Sequence, residues 1–239
     1  MYKELKGIGQ PKDENAVWRY MSFEKFANVL ATGSLFFTRA DKYDDKFEGY
    51  IPETTTLPHK PEDNPPVNRD DSNFRQYIMC NCWHHGKEES MGMWDKYHLR
   101  NSGIAIKTTM GNLKNSLLDE PAEPDVFIGK IEYINNHNQI KMPEDIRNLL
   151  YYPYFYKRKP FEYEQEVRAI IDIASISGDA AYEFGRPLKI DVKTLIGENS
   201  EVIVSPHAEK WVTRTLELIV ERCGFPFPVN PSRLLDPPV

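Results

Sequence analysis

Apolar residues along this chain fall into short runs and helical stripes punctuated by glycine, proline and charge. Val17-Trp18-Arg19-Tyr20-Met21 has the β-branched and aromatic content of a strand. Ser22 then stands at an N-cap position, with Glu24 in the first turn, where a helix favours negative charge. Phe23, Phe26, Ala27 and Leu30 follow at helical spacing, and Gly33 supplies a left-handed stop. Ser34 to Thr38 reads as a buried strand.

Beyond it the pattern lapses. Residues 52 to 72 hold five prolines, three consecutive threonines and almost no large apolar residue, which predicts a long exposed loop, mobile over 54 to 71. Strands are expected again at Tyr77 to Trp83, Gly103 to Lys107, Val126 to Ile134, Glu162 to Ile173 and Glu201 to Val204. Helices are expected at Glu88 to His98, from Pro143 to the Leu149-Leu150 pair ahead of Pro153, and after Ser205-Pro206 as far as Gly224.

Strands and helices thus interleave without a regular βαβ rhythm, a GxGxxG turn or a P-loop, so a doubly wound parallel sheet is disfavoured. The expected fold is α+β, with mixed or antiparallel sheets and peripheral helices, over a single domain spanning 1–239.

Composition supports a packed core: 40% of the 239 residues are apolar and 12% aromatic. No apolar run is long enough to span a bilayer, and the first residues lack the apolar stretch of a signal peptide. Three sparse cysteines, Cys80, Cys82 and Cys223, do not make a secreted disulfide framework, so a cytoplasmic location with reduced thiols and no membrane partner is expected. A net charge of −6 argues against tight, sequence-independent nucleic-acid binding. Lys157-Arg158-Lys159 is the one dense basic patch and reads most simply as a solvated loop.

Three segments place polar groups where burial is expected. Arg19 points away from Trp18 and Tyr20 in a strand, so its guanidinium can grip a phosphate or carboxylate in a bidentate fork, or form a structural salt bridge. Cys80-Asn-Cys82-Trp-His84-His85 invites a zinc reading, but no second ligand pair closes the set, and two small buried thiols are the simpler account. Just beyond, Met91, Trp94 and Tyr97 share a helix face that reads as core, or as a surface on which a flat heterocycle stacks if it borders a cleft. In the third segment, Glu164, Glu166 and Arg168 share one strand face, while Val167, Ala169 and Ile171 fill the other. Such a row is a solvated edge, or a site that stabilises developing positive charge.

WRYMSFEKFANVLATGSLFFTRADKYDDKFEG, the CNCW segment, MWDKYHLRNSGIAI, EYEQEVRAI and the late VSP turn together resemble the bacterial family catalogued as domain of unknown function 2971, over most of residues 17 to 222. That label carries no reaction. A second resemblance is to ADP-ribosyltransferases, which implies a split sheet, with Arg19 in the first-strand role, VLATG at the helix end and Glu164-Gln165-Glu166 in the E-x-E role. Tyr97, Tyr43 or a residue of the CNCW strand is left for the middle position.

This second resemblance implies an enzyme that takes NAD as substrate and passes ADP-ribose to a nucleic acid or protein. Toxins and phage-defence effectors work this way, sometimes with an antitoxin partner. Glu166 is then the carboxylate beside the oxocarbenium-like ribose, Glu164 serves the acceptor, and Arg19, Tyr20, Trp94 and Tyr97 hold NAD, with no metal required. Two alternatives come from other classes. One is a non-catalytic binding module, in which these Arg and Glu residues form structural ion pairs. The other is a metal-dependent nuclease using Asp41, Asp44, Asp45 and Glu48, although DKYDDKFE lacks the glycine pattern of a calcium loop.

Overall fold

The computed structural model describes residues 1–45, 47–50, 74–97, 101–121, 123–136, 139–141, 146–174 and 182–237. The expected loop at 52–72, Pro143 and His98 lie outside them. The architecture is α+β, as the alternation of patterns predicts.

The described strands are β1 (Tyr2–Lys3), β2 (Ala16–Ser22), β3 (Ser34–Arg39), β4 (Ile78–His85), β5 (Gly103–Thr109), β6 (Val126–Lys130), β7 (Glu132–Ile134), β8 (Tyr156–Arg158), β9 (Glu166–Asp172), β10 (Gly185–Lys189), β11 (Glu201–Val204) and β12 (Val229–Pro231). The helices are α1 (Phe23–Thr32), α2 (Met91–Lys96), α3 (Met110–Asn115), α4 (Val192–Leu195) and α5 (Lys210–Arg222). One large mixed sheet runs β1-β6-β9-β4-β2-β5-β11-β12, antiparallel except for its two outer pairs. β7 and β8 form a small parallel pair beside it.

The sheet forks at β4. Along one edge β4 pairs with β9 from Ile78↔Asp172 to His84↔Glu166. Its other edge is shared: β3 takes Met79 and Cys80, and β2 takes His84 and His85. Side chains stitch the space between. Arg19 donates from Nη1 to the Cys82 carbonyl, and Asn81 donates to the Phe36 carbonyl at 2.9 Å. β10 extends the branch that β3 begins.

Both faces of the sheet are covered. On one, Val17, Met79, Trp83, Val167 and Ile171 pack against apolar stripes of α1, α3, α4 and α5. On the other, Ile78, Cys80 and Ile170 pack against Tyr152, Tyr154 and Phe155 of the 3₁₀ segment Ile146–Phe155, while Trp18, Tyr20, Met93 and Trp94 form a separate cluster.

α1 ends at Gly33 as expected: its φ of 59° is left-handed, and its N–H closes on Val29 O at 2.9 Å. Ser22 occupies the N-cap position, but its side chain accepts no capping hydrogen bond.

Several expectations need correction. The run Val126 to Ile134 breaks at Ile131, and its halves join different sheets. The segment ending in Leu149-Leu150 continues as a 3₁₀ helix through Pro153. Ser205-Pro206 does not open the last helix, because the Ser205 N–H still bonds Gly103 O at 2.9 Å, and the N-cap is Glu209. The correction with most bearing on function is at Glu162 to Ile173. Pro160 starts a 3₁₀ turn over Lys159–Glu164, Gln165 takes a left-handed φ of 40°, and the strand begins only at Glu166. Glu164 is therefore not on the strand that carries Glu166 and Arg168.

Candidate functional site

β9 is buried on both faces, which makes its sequence unusual. Val167, Ala169 and Ile171 enter the apolar core, but the alternate positions carry Glu166 and Arg168, neither of them exposed. Moving an ion out of water costs several kcal/mol unless partners meet it, and the partners here come from other segments of the chain.

Arg168 grips Glu166 in a fork, Nε to Oε1 at 2.6 Å and Nη2 to Oε2 at 3.0 Å, and its Nη1 donates to Tyr154 O at 2.9 Å. Lys157 of β8 places its Nζ 3.1 Å from Glu48 Oε1, 2.9 Å from Glu164 Oε2 and 3.2 Å from Glu166 Oε2. Lys96, at the end of α2, reaches Glu164 Oε2 at 2.6 Å. Glu48 Oε2 lies 2.7 Å from Arg168 Nη2 but is not aligned for a hydrogen bond, so that contact is a Coulombic one. Three carboxylates and three cations thus close one network. Glu48 is held there partly by its neighbour: Gly49 has φ 76°, and the Tyr154 ring presses where a Cβ would stand.

The network forms the floor of a cleft of about 580 Å³, bordered by Tyr43, Phe47, Tyr97, Phe161 and Tyr163 among others. Arg158 sits at the rim, bonded to both oxygens of Asp45 at 3.1 and 3.3 Å, with its guanidinium 4.6 Å from the Phe47 ring centre.

The electrostatics follow from the pairing. Burial pushes the Glu166 carboxyl up, but Arg168 and Lys157 outweigh it and hold the group well below the usual carboxylate range. Burial likewise works against the charge on Lys157 and on Arg168. Glu166 is foremost among the neighbours that overcome it, and both end above their ordinary values. Cys82, whose Sγ is 3.4 Å from the Tyr43 hydroxyl, has its thiol pushed up to about 11, by burial first and by Glu166 second. It is a thiol and not a thiolate near neutral pH.

The candidate residues separate spatially. Glu164, Glu166 and Tyr97 meet in the cleft. Tyr20 borders a water-sized cavity just behind it, shared with His84, Tyr97 and both carboxylates, and its hydroxyl accepts from Ser90 N at 2.9 Å. Trp94 is 1% exposed, edge-on to Tyr20 at 4.8 Å, and donates to Glu89 at 3.2 Å, so it packs in the core. Arg19 lies in the fork of the sheet on the Cys82 carbonyl and is not among the described residues that border the cleft. Of the acidic run, Asp41 is engaged by Arg39 at 2.7 and 2.9 Å, Asp45 by Arg158 and Glu48 by Lys157, while Asp44 borders the cleft. Among the described residues, no group of three or more His, Cys, Asp or Glu is placed to hold a metal.

Sequence reasoning misassigns three residues of the site and misses a fourth. Lys157 belongs to the patch expected to be solvated but is buried, Glu48 and His84 enter only as metal ligands, and Lys96 carries no motif. The available signal for Lys157 is its position directly after the buried run from Tyr152 to Tyr156. His84 bonds through Nδ1 to the Glu164 carbonyl at 2.7 Å, and burial lowers its pKa despite that bond, so a neutral ring donating from Nδ1 steadies the turn before Glu166.

The three cysteines are free, and no described helix is long and apolar enough to cross a membrane. No family model, no curated protein and no solved structure matches the chain.

Proposed function

We propose that the cleft binds NAD and that the chain is an ADP-ribosyltransferase-like enzyme, cleaving NAD and transferring ADP-ribose to a nucleic acid or protein acceptor. The observation that carries this reading is the meeting of Glu164 and Glu166 on the floor of an aromatic-bordered cleft, joined by a residue in a strained conformation. A left-handed backbone at Gln165 costs roughly 1 kcal/mol or more and persists only where its surroundings demand it. Here the demand comes from the Gln165 carbonyl, which accepts from His85 N at 2.8 Å, and from the His84 bond to Glu164. Strain lying between two carboxylates in a cleft favours a functional site over a solvated edge.

Cleavage of the nicotinamide–ribose bond develops positive charge on the ribose, which a carboxylate stabilises without a metal. Geometry favours Glu164 for this work. Glu166 uses both oxygens on Arg168 and Lys157, whereas among the described residues the ion pairs of Glu164 fall on Oε2, which favours Oε1 as the oxygen offered to a ligand. Glu166 then acts as the anchor that fixes Lys157, and Tyr97 supplies a ring for stacking.

The test is incubation of the purified chain with NAD, with and without cell extract, and measurement of released nicotinamide. Release is expected, and Glu164→Gln should reduce it by roughly 100-fold or more. Absence of release under both conditions overturns the reading. A second reading, a nucleotide-binding module without turnover, is favoured by the complete pairing of Glu166; it forecasts saturable NAD binding with no nicotinamide release.

A further inference from the structure

The two lysines that meet at Glu164 Oε2 are not equivalent. Lys157 has a side chain only 6% exposed and is held by three carboxylates, Glu48, Glu164 and Glu166. Lys96 is 27% exposed, stands at the last position of a six-residue helix, and has Glu164 as its ion-pair partner, with its Nζ 5.5 Å from the centre of the Tyr97 ring. One ammonium is locked into the floor; the other hangs on a flexible four-carbon stem at the edge of the cleft.

Charge balance gives that difference a consequence. With Lys96 in place the network is neutral, three carboxylates against three cations. A purely anionic ligand entering the cleft would face the carboxylates, and a purely cationic one would compete with Lys96 for Glu164. A ligand that carries a phosphate near a positively charged centre satisfies both groups. Its phosphate replaces the carboxylate as the partner of Lys96, its positive centre replaces Lys96 as the partner of Glu164, and no charge is left unpaired.

We propose that Lys96 is an exchangeable cation: it caps Glu164 in the free cleft and passes to the phosphate of a ligand that brings its own positive centre to Glu164. NAD as the particular ligand rests on the transferase reading, since its pyrophosphate supplies the negative charge and its nicotinamide ring the positive centre, with one phosphate charge left to solvent; the exchange itself rests on the ion pairs. Lys96 is thus a binding residue whose departure opens a place on Glu164, beside Lys157, at the moment the substrate is seated. Substrate binding and readiness of the carboxylate become one event.

Titration calorimetry on the wild-type chain and on Lys96→Met tests this, using ADP-ribose, which has phosphates and no positive centre, and nicotinamide riboside, which has a positive centre and no phosphate. Loss of Lys96 should weaken ADP-ribose binding by roughly 10- to 100-fold, the range for a charge-assisted hydrogen bond. The same change should tighten nicotinamide riboside binding, because Glu164 Oε2 then keeps Lys157 but no longer Lys96. A change of field without direct contact is screened by salt, so the opposite shifts of the two ligands should persist at about 1 M salt, where the Debye length is about 3 Å, and shifts that vanish there overturn the exchange. Equal ADP-ribose affinity in both proteins, no ADP-ribose binding by the wild type, or weaker nicotinamide riboside binding by the variant overturns the proposal. NAD turnover separates it from the transferase reading. Nicotinamide release with Lys96-independent ADP-ribose binding removes the exchange alone, whereas Lys96-dependent binding without release removes the transferase alone.

Discussion

The two faces of β9 are equally dry and are held by opposite means. Val167, Ala169 and Ile171 meet aliphatic neighbours from β4, β6 and the helices, a contact whose strength is spread over many weak contributions. Glu166 and Arg168, on the same seven residues, are each held by a few strong partners, and most of those partners are ions that also have to be satisfied. The apolar face tolerates a change in shape and loses in proportion to what is removed. The charged face does not: removing one ion leaves several others stranded. A chain that needed only stability would gain more from an apolar second face, since replacing a buried ion network by packed apolar residues is often neutral or stabilising. Retaining charge at the floor of a cleft is the choice that needs a functional reason.

The sharpest way to break this comparison is to remove the cation that β9 itself carries. Arg168→Met keeps much of the side-chain length but leaves Glu166 and Glu48 without their guanidinium and Tyr154 O without its donor. The expected loss is about 3–5 kcal/mol of unfolding free energy. On the opposite face Ile171→Val should cost about 1 kcal/mol. Urea unfolding of both variants gives the ratio, and near-equal losses would mean that the charged face is no more tightly coupled than the apolar one.

How much of this was legible depends on the same contrast. The α+β class, the strand from Val17, the helix closed by Gly33 and the apolar positions Val167, Ala169 and Ile171 follow from local periodicity, and the structure has them all. Glu164 and Glu166 were legible as a pair, and they do reach one cleft. What periodicity misplaced was their geometry, because Pro160 and the left-handed Gln165 interrupt the strand, and no propensity forecasts a non-glycine residue at positive φ. Lys157, Glu48 and Lys96 were not legible as partners. A charged residue in a sequence reads as solvated, and only the fold reveals that segments more than a hundred positions apart bring Glu48 and Lys157 together.

Acid should distinguish the faces next. The carboxyl of Glu166 is depressed in the folded chain, so its stabilising contribution is complete above the unfolded value of about 4.3 and is lost as pH falls toward the folded one. The apolar face has no such dependence. Unfolding free energy followed from pH 7 to pH 2 should therefore fall increasingly steeply below about pH 4.3. In Glu166→Gln the fall should be shallower, because the titrating group is gone even though the protein starts less stable. Parallel curves for the two proteins would assign the acid sensitivity to other carboxylates.

The smallest effect concerns Cys82, whose thiol borders the charged face and reports its potential. Burial is the first cause of its rise to about 11, and it should persist in any folded variant. The charge on Glu166 is the second cause. Glu166→Gln removes that negative neighbour while leaving Arg168, which favours the thiolate, so the thiol should titrate lower, by less than burial alone had raised it. The rate of alkylation of Cys82 as a function of pH measures this directly, with the exposed Cys223 replaced by Ser so that a single cleft thiol reports. A midpoint that falls places Cys82 in the field of the network; a midpoint that stays at about 11 or rises means that the thiol senses only its burial, and the charged face is then electrically closed toward β4.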